Sequence, residues 1–224
     1  MTILAFEFSS VQRSVAVVSG RAGKAASVIS EVVETGAGGT MAFAMIHAAL
    51  QEAKLEREQI EVLAIGLGPG SYTGIRVALA IAQGWLLASR PGGMKLLGIS
   101  SAECLAAQAQ AEKIQGRVNV VIDAQRNEFY LSAYEVSASG WKEIEPLRIV
   151  TRAEVESRVV AKEILIGPEV TRWFPGGRMV FPRAAMLGQL ALTRNDFAAG
   201  ENLEPIYLRE TNFVKAPPVR WTAT

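Results

Sequence analysis

Two stretches far apart in the chain follow one plan, and that repetition restricts the fold more than any single motif. Residues 2–8 form an apolar run that ends beside an acid, Glu7; residues 9–13 are a polar turn; residues 14–19 are a second, β-branched run. Residues 117–122 repeat the apolar run and end at the acid Asp123, residues 124–127 repeat the polar turn, and residues 128–136 alternate as a strand should. Both read as strand, acid, turn, antiparallel strand. A unit that recurs at this separation predicts two similar lobes facing a cleft rather than a solenoid. Helix-compatible segments fall between the strands, so each lobe should hold a mixed sheet with helices packed on it, an α/β architecture. The expected division is residues 1–98 for the first lobe, 99–200 for the second, and 201–224 for a C-terminal extension packing back on both.

The segment Gly68-Pro69-Gly70-Ser71-Tyr72-Thr73-Gly74-Ile75-Arg76 joins the apolar run at residues 60–66 to a long helix-compatible stretch, residues 74–88. It reads as strand, tight glycine loop, helix start. Gly70 and Gly74 permit positive φ or close backbone approach, Pro69 stiffens the turn, and Ser71 or Thr73 can cap the free N–H groups of the first helical turn. Such an N-terminus attracts anions, yet no Gly-Lys-Ser/Thr follows, so it is not a Walker loop. A plain strand-to-helix connection accounts for the same residues.

The helix after this loop carries Arg76 and Gln83 as its clearly polar residues, with apolar side chains spread around it. A surface helix should show one apolar stripe. A second helix, expected over residues 40–56 with Thr40 as its cap, is rich in Ala, Met, Ile and Leu. Either both helices are buried on several sides of the monomer, or a partner covers them. Elsewhere, a third strand is expected over residues 27–34, a short strand over 95–98, a helix from Ser100 or Ser101 through residue 111, a helix over 152–159, a short strand over 163–166, a helix over 189–199 and an extended segment over 205–209.

Composition excludes several classes. The chain has 224 residues, 50% of them hydrophobic, and a net charge of +1, with no polybasic tract to hold nucleic acid unaided. A lone cysteine, Cys104, forbids an internal disulfide framework and fits a reducing cytosol. Residues 1–10 lack the basic start of a signal peptide, and no apolar run reaches membrane-spanning length, so a cytoplasmic protein is expected. His47 is the single histidine, too few for a zinc site with one distant cysteine and the only base available to Ser71, which in any case lacks the Gly-x-Ser-x-Gly setting of a nucleophile. Glu7 and Asp123 are the remaining candidates. At the ends of equivalent strands they could face each other across the cleft and hold Mg²⁺ with a nucleotide's phosphates. However, the turns after them, Phe8-Ser9-Ser10 and Ala124-Gln125-Arg126, contain no glycine to let the backbone cradle a phosphate. Phe8 would also set an aromatic ring near it. In the plainer reading each acid only accepts a backbone N–H in its own turn.

Three ordered blocks carry a resemblance: Gly68 to Arg76 with Ala80-Ile81-Ala82-Gln83-Gly84; Val121-Ile122-Asp123-Ala124-Gln125-Arg126-Asn127-Glu128-Phe129-Tyr130; and Glu204-Pro205-Ile206-Tyr207-Leu208-Arg209. Together with Gly98-Ile99-Ser100-Ser101 they resemble the TsaB (YeaZ) family of bacterial tRNA threonylcarbamoyladenosine biosynthesis proteins, over most of the chain. The resemblance implies a two-lobed actin/Hsp70/sugar-kinase-like (ASKHA) fold with mixed sheets and flanking helices. It also implies a non-catalytic subunit that partners the catalytic TsaD, with the ATPase TsaE completing the assembly. Such a subunit forms a homodimer in isolation and reaches tRNA only through the complex. The implied association surface falls on the two apolar helices, with Met41, Met45, Arg76, Ala80, Ile81, Gln83, Gly84 and Trp85 as its candidates.

The chain departs from the family where Phe6-Glu7-Phe8 replaces the usual Ile-Asp-Thr, and where Gly39 stands in place of a histidine. TsaD's paired metal-ligand histidines have no counterpart here. No catalytic residue, metal site or cofactor is therefore expected; Glu7, Ser71, Thr73 and Asp123 stay as weak nucleotide candidates, with binding possible only in the complex. The competing reading is a small Mg-dependent ATPase or phosphotransferase acting alone. A peptidase comes third, for want of a triad or metal ligands.

Overall fold

The computed structural model describes residues 1–20, 26–36, 41–90, 93–198 and 203–209. The first half runs β1 (Thr2–Glu7), β2 (Gln12–Ser19), β3 (Ser27–Thr35), α1 (Ala42–Ala53), β4 (Val62–Gly66), α2 (Tyr72–Leu87), β5 (Lys95–Ile99) and α3 (Ser101–Ala111). The second half runs β6 (Gly116–Asp123), β7 (Glu128–Ser137), β8 (Gly140–Thr151), α4 (Arg152–Val160), β9 (Ile164–Gly167), α5 (Val170–Trp173), β10 (Arg178–Met179) and α6 (Ala184–Ala191).

The two halves have one topology. The sheet orders are β3-β2-β1-β4-β5 and β8-β7-β6-β9-β10. In each, the first three strands pair antiparallel and the last two join in parallel. The repeat visible in the sequence as one hairpin therefore extends through five strands and three helices.

The third helix of each half crosses over. Helix α3 packs on β6, β7 and β8, while α6 packs on β1, β2, β3 and β4, and the two helices touch each other. Ala102, Leu105, Ala106 and Ala109 of α3 share a core with Val118, Val120 and Val136 of the second sheet. Ala184, Leu187 and Ala191 of α6 share one with Ile3, Ala5, Ala16 and Val18 of the first. Strand β1 is central and covered on both faces, which is why it reads as a continuous apolar run. Leu4, Phe6 and Phe8 point toward α1 and α2, and Ile3 and Ala5 toward α6.

Several elements differ from expectation, each for an identifiable reason. Helix α1 ends at Ala53 because Lys54 turns left-handed (φ 54°); the cap expected at Thr40 and the glycine at Gly39 lie outside the described residues. Strand β8 was not anticipated. It is an edge strand with alternating charged positions, and Pro146 sits where its register with β7 shifts, at a bulge. The late helix occupies Ala184–Ala191 rather than residues 189–199. Gly188, just before the expected start, lies inside the helix, and its bare Cα allows α6 to approach the sheet.

A Cβ at Gly188 would lie 2.5 Å from Val18 Cγ2. Gly188→Ala is therefore expected to destabilise: overpacking costs ~1–3 kcal/mol, against up to ~1 kcal/mol of improved helix propensity. Val18→Ala in the same chain should recover part of the loss. Urea unfolding of the single and double variants measures this, and a Gly188→Ala protein as stable as wild type would show that the close approach is not required.

Candidate functional site

The loop between β4 and α2 is seated on the β1–β2 turn. The Ser71 N–H donates to the Ser9 carbonyl (2.6 Å), and the Ser71 hydroxyl accepts from the Gly74 N–H (3.3 Å) as the N-cap of α2. A Cβ at Gly70 (φ 146°) would lie 2.1 Å from the Ser9 carbonyl oxygen, and one at Gly74 2.0 Å from that of Phe8. The glycines thus serve backbone contact between loop and turn. Of the two candidate caps Ser71 is the one used; Thr73 is exposed. The Gly68 carbonyl accepts from the Ser101 N–H (2.8 Å), tying the same loop to the start of α3.

Glu7 and Asp123 each accept the N–H two residues on, from Ser9 and from Gln125, both at 2.7 Å. They do not face each other. Glu7 is fully buried beneath the turn, where its second oxygen accepts from the Ser101 hydroxyl (2.8 Å) and fills the space left by the missing side chain of Gly66. Burial raises its pKa above the ordinary range, against the lowering effect of these hydrogen bonds. Asp123 does line the interlobe cleft, a space of about 440 Å³ shared with Ser9, Ser10, Arg13, Tyr72, Thr73 and Glu169. The expectation of two carboxylates across a metal site is corrected accordingly: strand alternation turns Glu7 toward α3, away from the cleft. The Phe8 ring is likewise buried in the core, stacked near Phe6 with ring centres 6.1 Å apart, and does not enter the cleft. Opposite, Gln125, Arg126 and Asn127 form a left-handed turn (φ 62°, 56° and 60°). Among the described residues no three His, Cys, Asp or Glu side chains cluster to hold a metal.

Helices α1 and α2 lie on one face of the first sheet, α1 over β3 and β2, α2 over β4 and β1. Their inner residues join Leu4, Phe6 and Phe8 in a single core. Met45 and Ile81 belong to it, with 4% and 8% exposure, so these two interface candidates are core residues. Trp85 is half-buried under the Arg57 guanidinium, 4.9 Å from its ring centre. Met41, Arg76, Ala80, Gln83 and Gly84 are exposed, as is His47. The exposed face also carries Phe43 (71%), Tyr72 (54%) and Leu87 (87%), large side chains that sequence reasoning did not single out. Fixing which third of each helix the sheet covers would have pointed to them.

At its N-terminal end α2 meets the segment 203–209. Arg76 Nε donates to the Tyr207 hydroxyl (3.2 Å), its guanidinium lies 4.2 Å from the Tyr72 ring centre, and the Tyr72 and Tyr207 rings are 5.6 Å apart. Arg209 donates to the Ala124 carbonyl (3.0 Å) and pairs with Glu128 (2.7 Å) in the second lobe.

Paired sheets of identical topology, exchanged third helices and a cleft between the strand-end turns define a two-lobed protein of the actin/Hsp70/sugar-kinase-like class. Comparison with known proteins narrows this. Residues 41–197 match the family model described as TsaD: tRNA N6-adenosine threonylcarbamoyltransferase. The tRNA threonylcarbamoyladenosine biosynthesis protein TsaB of Haemophilus influenzae is 32% identical over 197 residues, 77% of this chain and 80% of that one. TsaB of Escherichia coli is 28% identical over 169 residues, 67% of this chain and 71% of its own. The solved structure of YeaZ from Pseudomonas aeruginosa superposes with a TM-score of 0.73, at 24% identity, covering 92% of this chain and 99% of that one. The chain belongs to the family that the model describes and, within it, to the TsaB (YeaZ) branch.

The raised pKa of Glu7 gives a pH test. A carboxyl that binds its proton more tightly when folded makes stability fall as pH rises from about 4.5 through the folded pKa. Glu7→Gln keeps the acceptor for the Ser9 N–H and removes the titration. Its melting temperature relative to wild type should therefore rise between pH 4.5 and neutrality. Parallel pH profiles for the two proteins would show that Glu7 carries no such linkage.

Proposed function

We propose that the chain is a non-catalytic, activating subunit in the synthesis of threonylcarbamoyladenosine on tRNA, acting in the cytoplasm. It docks a TsaD-like catalytic subunit on the solvent face of α1 and α2. The same face pairs two copies of the chain when that partner is absent, a TsaE-like ATPase joins the assembly, and tRNA is reached only through it. The observation that carries this reading is the outer face of the two helices. Met41 and Phe43 stand exposed at the start of α1, Leu87 stands exposed on α2 with the small residues Ala80 and Gly84, and a Cβ at Gly84 would have nothing within 4 Å. Small residues let a partner helix come close, and large apolar residues around them supply area to bury. No helix among the described residues is long and apolar enough to cross a membrane. The names of the relatives, tRNA threonylcarbamoyladenosine biosynthesis proteins, support the pathway.

Ala80→Arg separates folding from docking. Position 80 is exposed, so the arginine is solvated in the monomer and meets a desolvation cost of several kcal/mol only when a partner covers it. The variant should fold with the wild-type secondary structure, elute as a monomer in light-scattering chromatography, lose no more melting temperature than loss of self-association explains, and fail to support modification in a reconstitution with TsaD-like and TsaE-like subunits. The wild-type chain should be required in that reconstitution and inactive without TsaD. Modification of tRNA by this chain without TsaD would overturn the proposal.

The cleft of the isolated chain should bind Mg-ATP weakly or not at all. Glu7 is buried away from it, so the pair of strand-end carboxylates on which a solitary ATPase reading rests is not assembled there. Calorimetry tests this: a micromolar Kd, about −8 kcal/mol, would favour the ATPase reading instead.

A further inference from the structure

The block Glu204 to Arg209 has no part in the docking reading, yet it makes contacts that reach both lobes. Leu203 plugs the first lobe, where a Cβ at Gly98 would lie 2.8 Å from its Cδ2. The Ile206 N–H donates to the Leu67 carbonyl (2.9 Å), directly before the glycine loop. Tyr207 then meets Tyr72 and accepts from Arg76 on α2, and Arg209 reaches Ala124 and Glu128 on the β6–β7 turn. Two residues of extended chain span only ~7 Å, so the strap leaves little slack between the lobes on this side of the cleft. The turn it grips also needs support, because three successive left-handed residues without glycine cost on the order of 1 kcal/mol each.

We propose that Tyr207 and Arg209 are positioning residues for partner docking. The strap holds Arg76 and Tyr72 in one arrangement at the N-terminal end of the docking helix and ties that arrangement to the second lobe. A partner seated on α2 thereby senses the setting of a turn it does not touch. The inference rests on α2 being the docking face for the TsaD-like subunit.

The test uses the full chain with three variants. Arg209→Ala removes the second-lobe anchor without touching α2, Tyr207→Phe keeps the ring contact but removes the acceptor for Arg76, and Ala80→Arg is the docking control. Hydrogen exchange is read at residues 72–76 and 124–128, and affinity for the TsaD-like subunit by titration calorimetry. Arg209→Ala should speed exchange in both segments and raise the Kd roughly 3- to 30-fold, the range for residues that couple sites without contacting the ligand. Tyr207→Phe should speed exchange at 72–76 and weaken docking, and the double variant should lose less than the two single losses combined, because both act through one strap. Faster exchange confined to 124–128 in Arg209→Ala, or a Kd within twofold of wild type while Ala80→Arg abolishes binding, overturns the inference and leaves the docking reading intact. Normal binding by Ala80→Arg overturns the docking reading and this inference with it.

Discussion

The contact on which the rest of the molecule depends is the seat of α2 on the first β-turn. Two backbone carbonyls, of Phe8 and Ser9, occupy the space that side chains at Gly74 and Gly70 would need, and the Ser71 N–H closes the contact onto Ser9. A methyl group at either glycine would have to displace main chain, which cannot rotate aside as a side chain can. This seat sets where the helix begins, and hence which of its residues face the sheet. It also makes Tyr72 and Thr73 a wall of the cleft, and it places Arg76 where Tyr207 can reach it. A glycine loop that resembles a phosphate cradle is used here to bring two backbone segments together.

The duplicated topology gives each lobe the same local solution at the end of its first strand, a carboxylate accepting the N–H two residues on. What differs is where the acid sits. Glu7 lies wholly inside, sharing its charge between Ser9 and Ser101 and using the gap at Gly66, so it braces β1 against α3. Asp123 stays at the cleft, and the turn behind it is held by Arg209 from the strap. One acid has become part of the core and the other remains at the surface between the lobes. A metal bridging them would require the first to leave its hydrogen bonds and the strand to reverse its alternation.

The features legible in the sequence were those with a strong local cause. The hairpin repeat follows from period-2 alternation, the Ser71 and Ser100 caps from side-chain chemistry, and the buried strands from unbroken apolar runs. What was not legible depended on tertiary neighbours. Met45 and Ile81 look like any other apolar residue of their helices until the sheet chooses a face. The place of Gly188 within α6 becomes intelligible only through Val18, against which it packs. Strand β8, polar and interrupted by Pro146, becomes a strand only because β7 offers it a partner. For Glu7 the sequence left two readings open; the plainer one, an acid accepting an N–H in its own turn, is the one the structure shows, and only the side of the sheet it faces separates them.

The duplication also supplies an internal comparison for the proposed docking face. Helix α4 holds the place of α1 in the second lobe, and it dresses its surroundings with ion pairs: Arg152 with Glu156 at 2.8 Å, Arg158 with Glu145 at 2.9 Å, and Arg148 with Glu154. Such pairs contribute little stability, a median of about 0–1 kcal/mol, but they leave charge at the surface where water solvates it. The counterpart of α2 is α5, a single turn of four residues, against sixteen in α2. The same scaffold therefore exists in two versions within one chain. In the first lobe the helices are long and largely free of charge, and they expose Phe43 on α1 and Leu87, Ala80 and Gly84 on α2. In the second lobe they are short and ringed with arginine and glutamate. Folding alone does not require the difference, since both sheets are covered and both cores are closed. The largest exposed apolar side chains of the helices, Phe43 and Leu87, lie in the first lobe, while α4 exposes the smaller Val159 and Val160 at its C-terminal end; that asymmetry is what the proposed burial of the first lobe against a second protein would need.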